Sequence, residues 1–155
     1  MRNTELSHII LSKHSHIETA ISTGAAWEVW FQVEFLMLLR AARLECSREA
    51  PYPSPNGALH LDVLARQGGE IYAIEVKVES ATNAGNKLLA ETRKDIEKIA
   101  KYTGPVDTEP VEARWVVALA YSDEAKHSLR GFTEENSGHA IYHEAGSIGC
   151  MIFSV

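Results

Sequence analysis

The chain has 155 residues, of which 45% are hydrophobic and 23% charged, and carries a net charge of −6. Its length suits one domain with its own core and excludes two independent ones, and its composition excludes a disordered chain. The acidic balance argues against binding nucleic acid through bulk positive charge, though not against local contacts made through a metal ion. Two cysteines, Cys46 and Cys150, are too few for a disulfide framework and fit a reducing compartment. The N-terminus lacks a long apolar segment of the secretory kind, and the longest apolar run, WVVALAY at 115–121, is too short to cross a bilayer. A single cytoplasmic domain with no membrane partner is expected.

Residues 1–23 are polar with scattered His and Ile, and read as a lead-in with a short helix. Residues 24–46 have no internal Gly or Pro after Gly24, are dense in large apolar side chains, and favour one long helix. Pro51, Pro53 and Pro55, followed by Asn56-Gly57, mark a short edge strand and a turn. The alternation in LHLDVLAR (59–66), the Gln67-Gly68-Gly69 turn and the apolar IYAIEVKVE (71–79) predict a β-hairpin. Residues 83–102 carry Leu88, Leu89, Ile96 and Ile99 on one helical side, and Thr103-Gly104-Pro105 stops that helix. A strongly apolar strand is expected at 113–121. Beyond it come a short helix near 123–129, a TEENSGH loop, and strands at 140–143 and 149–153. The fold class is α/β, a mixed central sheet flanked by helices. The core (24–121) runs helix, strand, strand, strand, helix, strand, between the lead-in and a C-terminal helix and strands (122–155).

One feature of the hairpin conflicts with burial. Glu75 and Lys77 lie in the middle of IYAIEVKVES, two residues apart, so both point to the same side of the strand. An uncompensated ion on a buried strand costs several kcal/mol, roughly the effective penalty after relaxation. In the preceding strand, Leu61 and Val63 fall on one face while His60 and Asp62 fall on the other, and the hairpin turn brings Asp62 back near Glu75. Two adjacent carboxylates repel unless a cation lies between them, and a hard divalent ion with oxygen ligands answers that need. Lys77 would then stand beside the ion, where it can hold a water or a developing oxyanion.

Asp62, twelve intervening residues and Glu75-Val76-Lys77 resemble the PD-(D/E)xK superfamily of restriction-endonuclease-like phosphodiesterases. The surrounding strands and the helix, three strands, helix, strand order resemble its core as well, over about two-thirds of the chain. The resemblance implies a metal-dependent nuclease that hydrolyses phosphodiester bonds of nucleic acid, DNA rather than RNA. Asp62 and Glu75 would be metal ligands and Lys77 a catalytic lysine. Mg²⁺ is the expected ion because every ligand is an oxygen, with Mn²⁺ as a substitute. Many members add a glutamate from the first helix. Here Glu28, followed four residues on by Gln32, is the preferred candidate and Glu34 the alternate. The two lie about 120° apart around a helix, so they do not share one ion. By analogy with small nucleases that cut two strands, a homodimer is expected.

Lys87, Lys94, Lys98 and Lys101 fall within about 60° on the second long helix and could contact phosphates. Asp95–Lys98 and Glu97–Lys101 are also ordinary spacings for solubilising ion pairs on an exposed face. His60 shares a strand face with Asp62 and could line the cleft. The seven histidines show no zinc spacing, and no nucleophile triad or phosphate-binding loop is present. Two rival readings use the same residues. One is a non-catalytic regulatory, immunity or binding module on the same fold. The other is a purely structural domain, which requires Glu75 and Lys77 to face solvent on an edge strand.

Overall fold

A computed structural model describes residues 1–155 apart from 25–26, 54, 57 and 106–109. Gly57, expected in a turn with Asn56, lies outside the described residues. The elements in chain order are α1 (Asn3–Leu11), α2 (His14–Ser22), α3 (Trp27–Ala41), β1 (Glu45–Pro51), β2 (His60–Gln67), β3 (Glu70–Val78), α4 (Asn86–Ile99), β4 (Ala113–Ala120), α5 (Asp123–Glu135), β5 (Ala140–Ala145) and β6 (Ile148–Ser154). They form an α/β protein around one six-stranded mixed sheet of order β1-β2-β3-β4-β6-β5. Strands β1 to β3 are an antiparallel meander. Strand β4 lies parallel to β3, which requires a crossover, and α4 supplies it. The β5–β6 hairpin closes the far edge, with β6 antiparallel to β4.

Both faces of the sheet are covered. On one, Leu6, Ile10, Ile17, Phe31, Phe35 and Leu39 of α1, α2 and α3 pack on Val63, Tyr72, Ile74, Val76 and Val78. On the other, Ile99 and Tyr102, at and just beyond the end of α4, pack with Leu64, Ile71, Ala73 and Val116, while Leu88, Ala125 and Leu129 cover Ala118 and Ala120. A strand buried on both faces reads as a nearly continuous apolar run, which is why β3 does. Its even-numbered residues face α1–α3 and its odd-numbered ones face α4. That parity decides where Glu75 and Lys77 point.

Several elements differ from the sequence reading. The lead-in is two helices, and Leu6, Ile10 and Ile17 within it are fully buried. The first long helix ends at Ala41 rather than Cys46. Arg43 turns the chain with a left-handed φ of 65°, and the Leu44 N–H reaches back to Leu39 O at 3.0 Å, the closure a C-terminal glycine commonly makes. Cys46 therefore sits in edge strand β1. Helix α5 runs on to Glu135, through the start of the expected TEENSGH loop. The hairpin turn is as expected, with φ of 58° and 88° at Gly68 and Gly69 allowing a two-residue connection. Among the described residues, no helix is long and apolar enough to cross a membrane.

Candidate active site

The site forms where β2 and β3 part. Their paired register runs from the turn to Val63↔Ile74. Beyond that pair, the Val76 N–H donates instead to Asp62 Oδ2 at 2.7 Å. The Asp62 carboxylate thus replaces a backbone acceptor at the opening between the strands, beside Glu75. Its charge is one of the influences opposing ionisation of Glu75.

Glu75 is 1% exposed and belongs to the face of β3 turned toward α4. Both of its oxygens are engaged. The Tyr52 hydroxyl, just past β1, donates to Oε1 at 3.0 Å, and Lys98 Nζ of α4 donates to Oε2 at 2.9 Å. Burial, reinforced by the Asp62 charge, pushes Glu75 up to about 8 despite the bond from Lys98. The ring of Tyr52 meets Tyr102 edge to face at 5.0 Å, which fixes the hydroxyl over the carboxylate. Burial, followed by the Glu75 charge, drives the Tyr52 phenol far above its ordinary value, so Tyr52 stays a neutral donor.

Lys77, one turn of the pleat further on, pairs with Asp95 of α4, Nζ to Oδ2 at 3.2 Å. Burial works against the Lys77 ammonium, but the charges of Asp95, Asp62 and Glu28 outweigh it and hold its pKa above the usual lysine value. Burial also pushes Asp95 up, with Lys77 pulling the other way. Asp95 Oδ2 is buried and receives no well-directed hydrogen bond.

Glu28 and Glu34 lie in different surroundings. Glu28 lines a cleft of about 420 Å³ with Trp27, Ser80, Thr82 and Tyr121, at the end of β3, and its charge is felt by Lys77. Glu34 lines a separate groove with His16, Thr19 and Trp30, between α2 and α3. Gln32 accepts a bond from Arg48 at 2.8 Å. His60 is exposed at the start of β2, in register with Pro51. On α4, Lys87, Lys94 and Lys101 are exposed, and Lys94 pairs with Glu91 at 2.6 Å. Lys98 departs from that stripe by turning to Glu75.

One further carboxylate stabilises the frame. Glu79, fully buried, accepts bonds from the backbone N–H groups of Gly85 (3.1 Å), Tyr121 (2.8 Å) and Ser122 (2.8 Å) and from the Ser122 hydroxyl (2.5 Å). Burial alone would raise its pKa, yet these donors hold it below the ordinary carboxylate range. Glu79 ties the end of β3 to the start of both α4 and α5. Gly85 enters α4 with φ of 59°, and a Cβ there would meet the Glu124 carboxyl at 2.6 Å.

Three carboxylates (Asp62, Glu75, Asp95) against two ammonium groups (Lys77, Lys98) leave a formal excess of one negative charge, and Glu28 lies apart from them in its own cleft. The donor set is all oxygen, the kind Mg²⁺ or Mn²⁺ takes, while Asp95 Oδ2 is already paired with Lys77. The arrangement is closed on lysines instead: among the described residues, no three His, Cys, Asp or Glu side chains gather around one point. Tyr52, Asp95 and Lys98 join Asp62, Glu75 and Lys77 only through the docking of β1 and α4. Comparison with protein-family models, with curated proteins and with solved structures returned no match.

Proposed function

We propose that this protein is a metal-dependent nuclease, hydrolysing phosphodiester bonds of nucleic acid, DNA rather than RNA, on a restriction-endonuclease-like core. The observation that carries the reading is the side-by-side placement of Asp62 and Glu75 at the split between β2 and β3, with Lys77 next along the same face. The meander β1–β2–β3 followed by α4 and a parallel β4 supports the same core. Asp62 and Glu75 would hold Mg²⁺, with Mn²⁺ as a substitute. Glu28 is the candidate from α3, because it opens on the cleft at the end of β3 while Glu34 opens elsewhere.

When bound, the ion supplies polarisation of the phosphate and acidification of a water. Lys77, kept protonated by the surrounding carboxylates, orients that water and stabilises negative charge developing on the phosphate. Asp95 holds the Lys77 ammonium in place. Exposed Lys87, Lys94 and Lys101 contact the phosphate backbone locally, which suits a chain whose net charge is −6. A homodimer belongs to the same reading. The test is incubation of plasmid, single-stranded DNA and RNA with Mg²⁺ or Mn²⁺. Cleavage by the wild type is expected, with its loss in both Glu75→Ala and Lys77→Ala; cleavage retained by both variants overturns the assignment.

A second reading, a non-catalytic binding module on the same fold, draws on one observation. Both oxygens of Glu75 already have protein partners, so the charged network can stand as a self-neutralised structural unit. Absence of Mn²⁺ binding in calorimetry would favour it. The purely structural reading required an edge strand with solvent-facing charges, whereas β3 is interior and Glu75 is buried.

A further inference from the structure

Lys98 holds a position that helix solubility does not explain. Helical spacing places it on one stripe with Lys87, Lys94 and Lys101, all exposed, yet its ammonium lies 2.9 Å from Oε2 of a carboxylate that is almost wholly buried. The other oxygen of Glu75 is held by a neutral hydroxyl, so the positive charge in contact with Glu75 is that of Lys98. The lysine is not sealed in. Its side chain remains 27% exposed and passes over the ring of Tyr52, with Nζ 6.0 Å from the centroid. A long, flexible stem of this kind can return its head group to water without any backbone movement.

A divalent ion bound through Oε2 of Glu75 would meet the oxygen that Lys98 holds, and the two cations would repel at contact distance. We infer that Lys98 is a built-in competitor for the metal. It occupies Oε2 of Glu75 in the metal-free protein and is expelled when a divalent cation binds. The inference rests on the metal reading of the Asp62–Glu75 site and adds its regulation. Once expelled, Lys98 joins the exposed lysine stripe of α4. The phosphate-binding surface then gains a charge only when the site is loaded, so metal and nucleic acid each favour binding of the other.

The experiment uses Mn²⁺ alone, titrated calorimetrically into wild type, Lys98→Met and Lys98→Arg. Circular dichroism establishes that each variant is folded. Removing the competing charge should tighten Mn²⁺ binding on the order of ten-fold in Lys98→Met, while Lys98→Arg, which keeps the charge, should show no gain. A second measurement needs no variant. Wild type is treated with an amine-acylating reagent, with and without Mn²⁺, and modification of Lys98 is followed by mass spectrometry. Faster modification with Mn²⁺ is expected. Mn²⁺ binding that is equal or weaker in Lys98→Met, with Lys98 labelling unchanged by the ion, overturns the competitor role and leaves the metal reading standing. No Mn²⁺ binding to wild type or Lys98→Met, with labelling again unchanged, overturns both.

Discussion

Replacing Glu75 by Gln should make the protein more stable in alkaline solution and leave it nearly unchanged in acid. Glutamine keeps the shape and neutrality of the protonated acid, and one oxygen that can accept a bond. In the wild type, burial and the Asp62 charge raise Glu75 to about 8 in the folded state, against an ordinary value of 4.5. A carboxyl raised on folding binds more protons in the native than in the unfolded chain between those two values. Its contribution is therefore fully present below pH 4.5 and is lost as pH rises through 8. Each pH unit in that window costs about 1.4 kcal/mol, so the whole interval is on the order of 5 kcal/mol, comparable with the total stability of a small domain. Urea unfolding of wild type and Glu75→Gln at pH 4, 6, 8 and 9, without metal, reads the difference. It should be near zero at pH 4 and widen in favour of Glu75→Gln toward pH 9. A difference that stays constant with pH would show that Glu75 ionises freely in the fold, and the argument from burial would fail.

Two further outcomes follow from the carboxylates on either side of Glu75. Glu79→Ala should lower stability by about 3–5 kcal/mol at neutral pH in chemical denaturation, because four donors lose a buried acceptor. Glu79 is held below its ordinary value, so that contribution is present above pH 4.5 and disappears as pH falls through the folded value. Asp62→Asn should cost only about 1 kcal/mol in the same assay, since the amide oxygen can still accept from the Val76 N–H, while abolishing cleavage and weakening Mn²⁺ binding. A large loss of stability in Asp62→Asn would mean that the charge itself holds the two strands.

Local pattern carried much of this structure. Alternation in IYAIEVKVE fixes the faces of β3, and the two glycines after Gln67 fix the hairpin. Although Leu61 and Val63, expected on one face, pack in the clusters on opposite faces of the sheet, the approach of Asp62 to the Glu75–Val76 stretch was therefore legible. The partners of that pair were not. Asp95 and Lys98 have the spacing of an ordinary surface ion pair, and only the docking of α4 on the odd-numbered face of β3 separates them, Asp95 going to Lys77 and Lys98 to Glu75. Tyr52 sits in a proline-rich stretch whose composition signals a turn rather than a buried hydrogen-bond donor. Glu79 differs from any strand-end glutamate only through long-range donors from Tyr121 and Ser122. The two N-terminal helices were obscured because Leu6, Ile10 and Ile17 are few among polar neighbours, although Leu6 and Ile10 do keep a helical interval. Arg43 ended α3 in a conformation that composition assigns to glycine, so the boundary with β1 went unmarked.

Asp62 has two separable duties, one served by its oxygen as an acceptor and the other by its charge. A descendant of this chain could keep the first and discard the second through a single amide exchange, remaining folded while the negative charge beside Glu75 is gone. Under the proposed nuclease reading, active and inert forms would then stand one substitution apart, and chemistry, rather than architecture, would be what keeps an acid at this position.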